Sequence, residues 1–464
     1  MQDVPDSIAM TAGFVRAGEF FRQGKVPLAI SQFRTALRFE ADAYERAKAY
    51  LELARIYRIA VRMKNARLEL MRSFEAAGLA WPRNSWASVL ASCFHPEPMN
   101  KPHPDFERQT RDTKIRFVAE LYEEVGLSAY YLRHIPTLLQ AIIRVKGICM
   151  ELGPSRVLLN WYGGAACVCS LIGLRKRSLQ LIRHCHDVST QLSCRTDAGK
   201  ALVWKALLYD YHGLPVRSAE LFEECLREYG ADLYPFDLRL AAVTLSVNYL
   251  SRGHYEKALS AMSRLTELYP YFKTQEADDW SFDSAAWYTL APKVMLGQME
   301  DIDKMANAFR SILSVDKDEK WLLTQFLGHL LIAGRQTGME ACKAEDLISR
   351  FEVLGMSARS THLETSFYWI AAAYIRFDFA ANDKAALPCF RASLKKLGQV
   401  PDHPTPRAHY DVLKAGLAWM EGRGHAYRKW SARAAEKARL HDNAWVFVEL
   451  AKLQSRVKEA GGFR

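Results

Sequence analysis

The sequence has little glycine and proline for its length, with 25 glycines and 17 prolines among 464 residues. Sandwich folds, loop-rich folds and disordered chains contain more of these residues. The long segments between the breaks are instead rich in Ala, Leu, Arg, Glu and Lys, which favour helices. Because 49% of the residues are hydrophobic, the chain can bury a core. The composition therefore predicts a folded protein that is nearly all helix.

The sequence also lacks the long apolar runs that membrane insertion requires. Its longest apolar stretches, 165–172 and 369–375, are well short of the roughly 20 residues of a membrane-spanning helix. The first residues, MQDVPDSIAMTAGF, show no basic region followed by an apolar one, so no signal peptide is predicted. The nine cysteines have no spacing typical of a disulfide framework and are expected to be reduced. Together these features predict a cytoplasmic protein without membrane insertion.

Motifs that carry chemistry are missing too. The sequence contains no G-x-x-x-x-G-K-[ST], G-x-S-x-G, H-E-x-x-H or C-x-x-C. Cys167 and Cys169 fall on one predicted helix and point to nearly opposite sides of it, which favours core packing over metal binding. Cys93, His95 and His103 could meet at a metal, but no fourth ligand stands at a set spacing. We therefore expect no catalytic residue, no cofactor and no metal.

What the sequence does contain is a recurring helical hairpin. In LSRGHYEKALSAMSRLTELYP, residues 250–270, Gly253 marks the end of one helix and Pro270 stops the next. Gly173 and Gly213 mark equivalent turns upstream, so the three glycines are 40 residues apart in sequence. A single hairpin cannot bury its apolar face, so this spacing predicts a stack of hairpins.

These hairpins resemble tetratricopeptide (TPR) repeats, whose pattern has the same Gly, Tyr, Ala and Pro landmarks. The resemblance implies an all-α, right-handed α-solenoid of TPR-like antiparallel helical hairpins, with roughly 18–22 helices. The spacing of 40 residues exceeds the usual ~34 of a TPR and implies longer helices. Further helix ends are predicted at Gly297 and Gly334.

Proline density divides the chain into parts. Residues 81–109 hold five prolines, which forbid a continuous helix. We expect N-terminal hairpins over 1–80, a proline-rich connector over 81–110, a central array with ~40-residue repeats over 111–315, and degenerate hairpins with a capping helix over 316–464.

Residues 110–270 resemble, more specifically, the helical-repeat region of large bacterial signalling ATPases. The resemblance lies in the turn ELGPS at 151–155, in the helix around Tyr162 and in the hairpins that follow. In that family such a region follows a P-loop module and often precedes a kinase or cyclase domain. Because no such catalytic motif is present here, the resemblance implies the interaction scaffold alone. Within ELGPS, Gly153 is expected to end one helix and Pro154 to begin the next.

The net charge of +11 is concentrated in places. We predict a partner-binding basic cluster made of six residues, Arg55, Arg58, Arg62, Lys64, Arg67 and Arg72. The first three recur at spacings of three and four, as on one helix, and Arg55 and Arg58 are predicted on the concave side of a TPR-like hairpin. The only acid between positions 53 and 72 is Glu69. The alternative is a solvated face in which Glu52 pairs with Arg55.

Chaperone-binding TPRs line their groove with Asn, Lys and Arg residues that grip a C-terminal carboxylate. The equivalent helices of this chain offer apolar or small residues: Phe14, Gly18, Phe21, Val203, Leu207, Val243 and Val247. A carboxylate clamp is therefore not expected. Either the superhelix buries this surface, or the surface receives an apolar segment such as an amphipathic helix.

The sequence favours a non-catalytic scaffold or adaptor in bacterial regulation or signalling that binds a protein partner through an acidic or amphipathic-helical segment. Nucleic-acid binding by a basic solenoid is the first alternative, since the net charge permits it. A repeat domain that senses a small ligand or peptide is the second.

Overall fold

The computed structural model describes residues 6–22, 25–39, 42–59, 62–94, 104–132, 134–268, 284–298, 301–315, 320–360, 363–401 and 403–462. These residues form 23 α-helices and no strand, slightly more helices than the sequence predicts. The first fourteen are α1 Asp6–Arg22, α2 Val26–Leu37, α3 Ala43–Ile59, α4 Met63–Ala77, α5 Trp86–Phe94, α6 Pro104–Glu107, α7 Arg111–Tyr131, α8 Ile135–Leu152, α9 Arg156–Leu171, α10 Arg175–Leu192, α11 Arg195–Tyr211, α12 Pro215–Glu228, α13 Pro235–Arg252 and α14 Tyr255–Leu268. The others are α15 Ser284–Met295, α16 Ile302–Val315, α17 Lys320–Thr337, α18 Ala341–Glu352, α19 Leu363–Asn382, α20 Leu387–Leu397, α21 Pro404–Met420, α22 Gly424–Leu440 and α23 Ala444–Glu459.

The three glycines spaced by 40 residues, Gly173, Gly213 and Gly253, close their helices as predicted. Gly253 has a φ of 84°, a left-handed conformation that costs glycine little. The N–H of His254 donates to the carbonyl of Tyr249 at 3.0 Å, and the N–H of Gly253 donates to that of Leu250 at 3.0 Å. This pair of bonds is the Schellman motif, which satisfies the last carbonyls of a helix. Equivalent bonds close α9 at Gly173 and α11 at Gly213.

Small residues let the helices of each hairpin pack closely. Ala258 in α14, Ser218 in α12 and Ser178 in α10 are fully buried. The hydroxyl of Ser218 donates to the carbonyl of Ala206 at 2.9 Å, so a polar residue is satisfied at the crossing of α11 and α12. Helices α1 and α2, α3 and α4, α7 and α8, α9 and α10, and α21 and α22 also pack as neighbouring pairs. The predicted fold class, an all-α solenoid of TPR-like hairpins, is confirmed.

The chain forms two compact units, each taken here over its described residues. Unit 1 spans Met1–Trp204, Tyr229–Leu238 and Leu268–Thr274, and unit 2 spans Lys205–Glu228, Arg239–Glu267 and Gln275–Arg464. Aromatic rings fill both cores. In unit 1, Phe74 meets Tyr122 edge to face at 5.4 Å between ring centroids. In unit 2, Trp287 stacks on Phe326 at 4.6 Å.

Two predicted helix boundaries were wrong, the end at Gly334 and the start at Pro154. Helix α17 runs through Gly334 to Thr337, and the left-handed Gly338 ends it instead. A glycine inside a helix costs only about 1 kcal/mol, which the buried side chains around it outweigh. In ELGPS, Gly153 ends α8 as predicted, but Pro154 lies before the cap of α9. The cap is Ser155, whose hydroxyl accepts from the N–H of Leu158 at 3.3 Å.

The interpretation that three arginines share one helix was also wrong. Helix α3 ends at Ile59, and Arg62 is the N-cap of α4. No glycine or proline stands between 55 and 62, so the sequence carries no local sign of this break.

Among the described helices, none combines the length and apolar character needed to cross a membrane. The nine cysteines form no disulfide, and four of them, Cys149, Cys167, Cys185 and Cys225, are buried.

Candidate functional site

The candidate site is a cavity of about 660 Å³ in unit 1. Its wall comes mainly from α1, α3, α7, α9, α11 and the start of α13, which are the first helices of their hairpins. Five basic residues line it, Arg55, Arg58, Arg116, Arg156 and Lys200. Six acidic residues also line it, Glu52, Glu120, Glu123, Glu124, Asp197 and Asp237. The apolar part of the wall includes Phe21, Ile56, Ile59, Leu127, Val157 and Phe236.

A buried ion pair joins α3 to α7 in this wall. The Nε of Arg58 donates to Oε2 of Glu124 at 2.7 Å, and its Nη2 donates to Oε1 at 2.9 Å. The guanidinium also lies 3.9 Å from the ring centroid of Phe236, a cation–π contact. Burial alone would raise the pKa of Glu124, but Arg58 and Arg55 lower it below its usual value. Glu124 is therefore ionised and holds Arg58 in a fixed, bidentate geometry.

Arg55, which is more exposed than Arg58, extends the same network. Its Nη2 donates to Oε2 of Glu120 at 2.9 Å, and its Nε lies 3.4 Å from Oε1 of Glu124. Its Nη1 donates to Glu52, the pairing that the solvated-face alternative predicts. Burial alone would lower the pKa of Arg55, but Glu52, Glu124 and Glu120 raise it. The charge of Arg55 is thus neutralised from within the protein.

Two further ion pairs lie across the cavity. The Nε of Arg156 donates to Oδ1 of Asp197 at 2.7 Å, and its guanidinium lies 4.6 Å from the ring centroid of Tyr234. Lys200 donates to Asp237, and both of these residues are buried. These pairs fix the wall made by α9, α11 and the start of α13.

A relay of hydrogen bonds positions the remaining acid, Glu123. The indole N–H of Trp204 donates to Oδ1 of Asn160 at 3.2 Å, and Nδ2 of Asn160 donates to Oε1 of Glu123 at 2.6 Å. Since an indole N–H only donates, it fixes which end of the amide faces Glu123. Gly163 makes room for Trp204, because a Cβ there would lie 2.2 Å from the indole Cγ. Burial and then the neighbouring Glu124 raise the pKa of Glu123 to about 7.

The structure brings only part of the basic cluster to the cavity. Among the described residues, Arg55 and Arg58 line the cavity and the other four members of the cluster do not. Arg72 donates to Glu69 at 2.9 Å. Arg67 lies 5.9 Å from the ring centroid of Trp81, and Arg62 and Lys64 have contacts of their own.

The acids of α7 and the Asn160 relay were missed in the sequence analysis. Glu120 and Glu124 stand four residues apart, a spacing that places both on one helix face. That spacing was the available signal, but it does not indicate which arginines face them.

Six of the seven positions that argue against a carboxylate clamp fall into two groups, and the seventh, Phe14, is half-buried and packs against the core formed by α1, α2 and α3. Four of them are buried inside the hairpins, Val203, Leu207, Val243 and Val247. Gly18 and Phe21 on α1 instead line the open cavity. Burial therefore accounts for these apolar positions of α11 and α13, whereas Gly18 and Phe21 of α1 contribute to the lining of the open cavity.

Within the described ranges, no three His, Cys, Asp or Glu side chains are grouped closely enough to hold a metal ion. His95 and His103 lie outside the described residues, and Cys93 is exposed. Burial raises the pKa of the Cys149 and Cys185 thiols to about 12, so both are protonated.

The hairpins and the cavity define the chain as a helical-repeat protein of the all-α class. No protein-family model matches the chain, and no curated protein matches it either. Among solved structures, it is similar to one described as human IFIT1 dimer with PPP-AAAA, at 12% identity over 91% of this chain and 89% of that chain, with a TM-score of 0.39. It is also similar to the crystal structure of the P58(IPK) TPR domain, at 14% identity over 97% of this chain and 99% of that chain, with a TM-score of 0.24. The fold class rests on the helices and turns described above.

Proposed function

We propose that this protein is a non-catalytic helical-repeat scaffold that binds a partner protein through a peptide segment seated in the cavity of unit 1. The observation that carries this proposal is the meeting of six first helices at one open cavity with an apolar wall and fixed polar groups. Such a combination binds apolar side chains and orients a backbone. The role in bacterial regulation or signalling is the one that the sequence resemblance implies. The cytoplasmic location is part of the same proposal and is supported by nine cysteines without a disulfide.

The charges of the cavity favour a peptide over a nucleic acid. A phosphate backbone binds by displacing counterions from unneutralised lysines and arginines. Here Arg58, Arg156 and Lys200 are each paired with an acid of the same wall. With six acidic and five basic side chains, the cavity does not offer a basic surface to a polyanion.

Arg55 and Arg58 retain a role in this proposal as rigid parts of the wall. The predicted acidic patch on the partner would meet a cavity in which Arg55, Arg58 and Arg156 already have carboxylate partners, so we propose a mainly apolar segment instead. Arg62, Lys64, Arg67 and Arg72 remain a predicted surface for an acidic partner outside the cavity. The division at 1–80, 81–110, 111–315 and 316–464 likewise stays a prediction.

A blocking variant tests the site. A Cβ added at Gly18, which lines the cavity, would meet no atom within 4 Å, so Gly18→Trp places an indole against the cavity. Gly147→Trp is the matched control, because Gly147 is an exposed helical glycine that also has no atom within 4 Å. The full chain is panned against a random library of peptides with blocked ends. We expect enriched peptides that bind Gly18→Trp at least about tenfold more weakly and bind Gly147→Trp unchanged.

The proposal is wrong if no peptide is enriched, or if the enriched peptides bind the Gly18→Trp protein as tightly as the wild type. Circular dichroism confirms that both variants retain their helices.

A small-molecule sensor is the second candidate, because the cavity volume falls within the roughly 300–1,000 Å³ of small-ligand sites. A thermal-shift screen against metabolites tests it: a ligand that stabilises the wild type but not Gly18→Trp supports this function.

A further inference from the structure

We propose that the cavity recognises a lysine or arginine side chain of the bound segment, which pairs with the carboxylate of Glu123. This inference rests on the proposed function and names the residue type that the same cavity selects.

The argument begins with the pairing of charges in the wall. Glu120 and Glu124 are held by arginines of α3. Asp197 and Asp237 are held by Arg156 and Lys200. Among the described residues, Glu123 forms no ion pair.

Arg116 and Glu123, the base and the acid of the cavity that form no ion pair among the described residues, differ in their exposure to solvent. Arg116 is exposed and pairs with none of the described acids, so water already solvates its charge. Glu123 is half-buried, and solvation there is poorer. A ligand therefore gains more by bringing a cation to Glu123 than by bringing an anion to Arg116.

The carboxyl group of Glu123 is also held ready for a cation. Asn160 occupies Oε1, and Trp204 holds Asn160 in place. Oε2 is left for a ligand, since a carboxylate can accept several hydrogen bonds. The aliphatic stem of lysine or arginine can lie along apolar wall residues such as Leu127 and Val157.

Other charges around Glu123 make the pairing depend on pH. The groups that face it are Glu124 on α7, Arg55 and Arg58 on α3, Lys200 on α11 and the Cys149 thiol on α8. Burial, with Glu124 next in importance, raises the pKa of Glu123 to about 7. A bound cation favours the carboxylate, so binding expels the proton that Glu123 holds below this pH. Affinity for a basic side chain must therefore fall as the pH is lowered through 7.

The first experiment asks which residue types the cavity selects. The random peptide library with blocked ends is panned on the full-length wild type, on Glu123→Gln and on Glu120→Gln. Glutamine keeps the size of glutamate and removes its charge, and Glu120 is a cavity acid that already has an arginine partner. We expect lysine or arginine to be enriched at one position with the wild type and with Glu120→Gln, and not with Glu123→Gln.

The second experiment uses the wild type alone, so it does not depend on the folding of a variant. One enriched peptide free of His, Asp and Glu is compared with its copy that carries norleucine in place of the basic residue. Calorimetry at pH 8 and pH 6 should show about tenfold weaker binding of the basic peptide at pH 6, and no such loss for the norleucine copy.

The outcomes separate this inference from the proposed function. If peptides bind the cavity without any basic preference, or if that preference survives Glu123→Gln, the inference is wrong and the proposed function stands. An affinity of the basic peptide that is equal at both pH values also overturns it. If no peptide binds the wild type, the proposed function fails as well.

Discussion

Units 1 and 2 each contain an arginine that is clamped by a buried glutamate, but the charges around the two pairs differ. In unit 2, Nη1 and Nη2 of Arg335 donate to the two oxygens of Glu449 at 2.8 Å each. In unit 1, Arg58 forms a similar bidentate pair with Glu124 through its Nε and Nη2. Asp378, the other acid there, is held by Arg335 at 2.6 Å and by Arg456 at 2.9 Å.

The pKa values of Glu449 in unit 2 and of Glu123, the unpaired acid in unit 1, are shifted in opposite directions. Burial alone would raise the pKa of Glu449, but Arg335 and then Lys452 lower it to about 2. Burial and then the neighbouring Glu124 raise the pKa of Glu123 to about 7, because no cation is paired closely enough with it to outweigh them. The comparison teaches that ion pairs stabilise the packed helices where every acid is paired with a base. Where one acid has no paired base, the helices can bind a ligand.

The largest expected effect comes from breaking the complete network. Glu449→Gln leaves Arg335 without its main counter-ion in a largely buried place. We expect the free energy of unfolding at pH 7 to fall by about 3 kcal/mol, as measured by urea unfolding followed by circular dichroism. Glu459→Gln, on the exposed end of the same helix, should change it by less than about 0.5 kcal/mol.

The loss of stability in the same variant depends on pH. The folded pKa of Glu449 is below its unfolded value, so its contribution is present above about pH 4.5 and is lost as the pH falls toward 2. The deficit of Glu449→Gln should therefore shrink on acidification; a constant deficit would contradict the ion-pair account.

A smaller effect is expected from the packing that supports the unpaired acid. Gly163→Ala places a Cβ against the Trp204 indole, which must move and weaken its bond to Asn160. We expect a loss of about 1–3 kcal/mol of stability in urea unfolding. Gly164→Ala, one residue further on, meets nothing within 4 Å and should be neutral or stabilising by up to about 1 kcal/mol. Equal effects of the two variants would show that Trp204 is not held by this contact.

The smallest effect is expected at Glu123. Its contribution to stability should depend on pH in the opposite direction to that of Glu449. Its folded pKa lies above its unfolded value, so the folded state keeps a proton between about pH 4.5 and 7 that the unfolded chain has lost. The contribution of this group to stability therefore declines as the pH rises through that window. Glu123→Gln, which never ionises, should gain stability relative to the wild type between pH 5 and pH 8. Thermal melts of the two proteins at both pH values measure this, and a relative loss would refute the unpaired-acid description.

Sequence reasoning succeeded where local chemistry decides the structure. Gly173, Gly213 and Gly253 each adopt the left-handed conformation that ends a helix, and their regular spacing was sufficient to predict the repeats. The apolar helix faces and the small residues at the crossings depend only on neighbours within one hairpin.

The candidate site was harder to predict from the sequence, because residues that are far apart along the chain form it. Arg58 and Glu124 are 66 positions apart. The arginine pattern alone left a partner-binding face and a solvated face open, and it gave no indication of this internal ion pair. The prediction at Gly334 was wrong for another reason. This residue type is typical of helix ends, but Gly334 lies inside α17, because the packing of the whole helix outweighs its local preference.

The turn glycines described above also differ in how much sequence change they can accept. At Gly173 the space around an added Cβ is open, so asparagine, which tolerates left-handed backbone, is a permitted replacement. At Gly253 the Cβ would lie 2.6 Å from the backbone nitrogen of Trp445. Any side chain there would therefore clash with this backbone atom, in addition to straining the left-handed backbone. Among natural variants of this chain, position 173 should therefore drift while position 253 stays invariant, although both glycines end their helices in the same way.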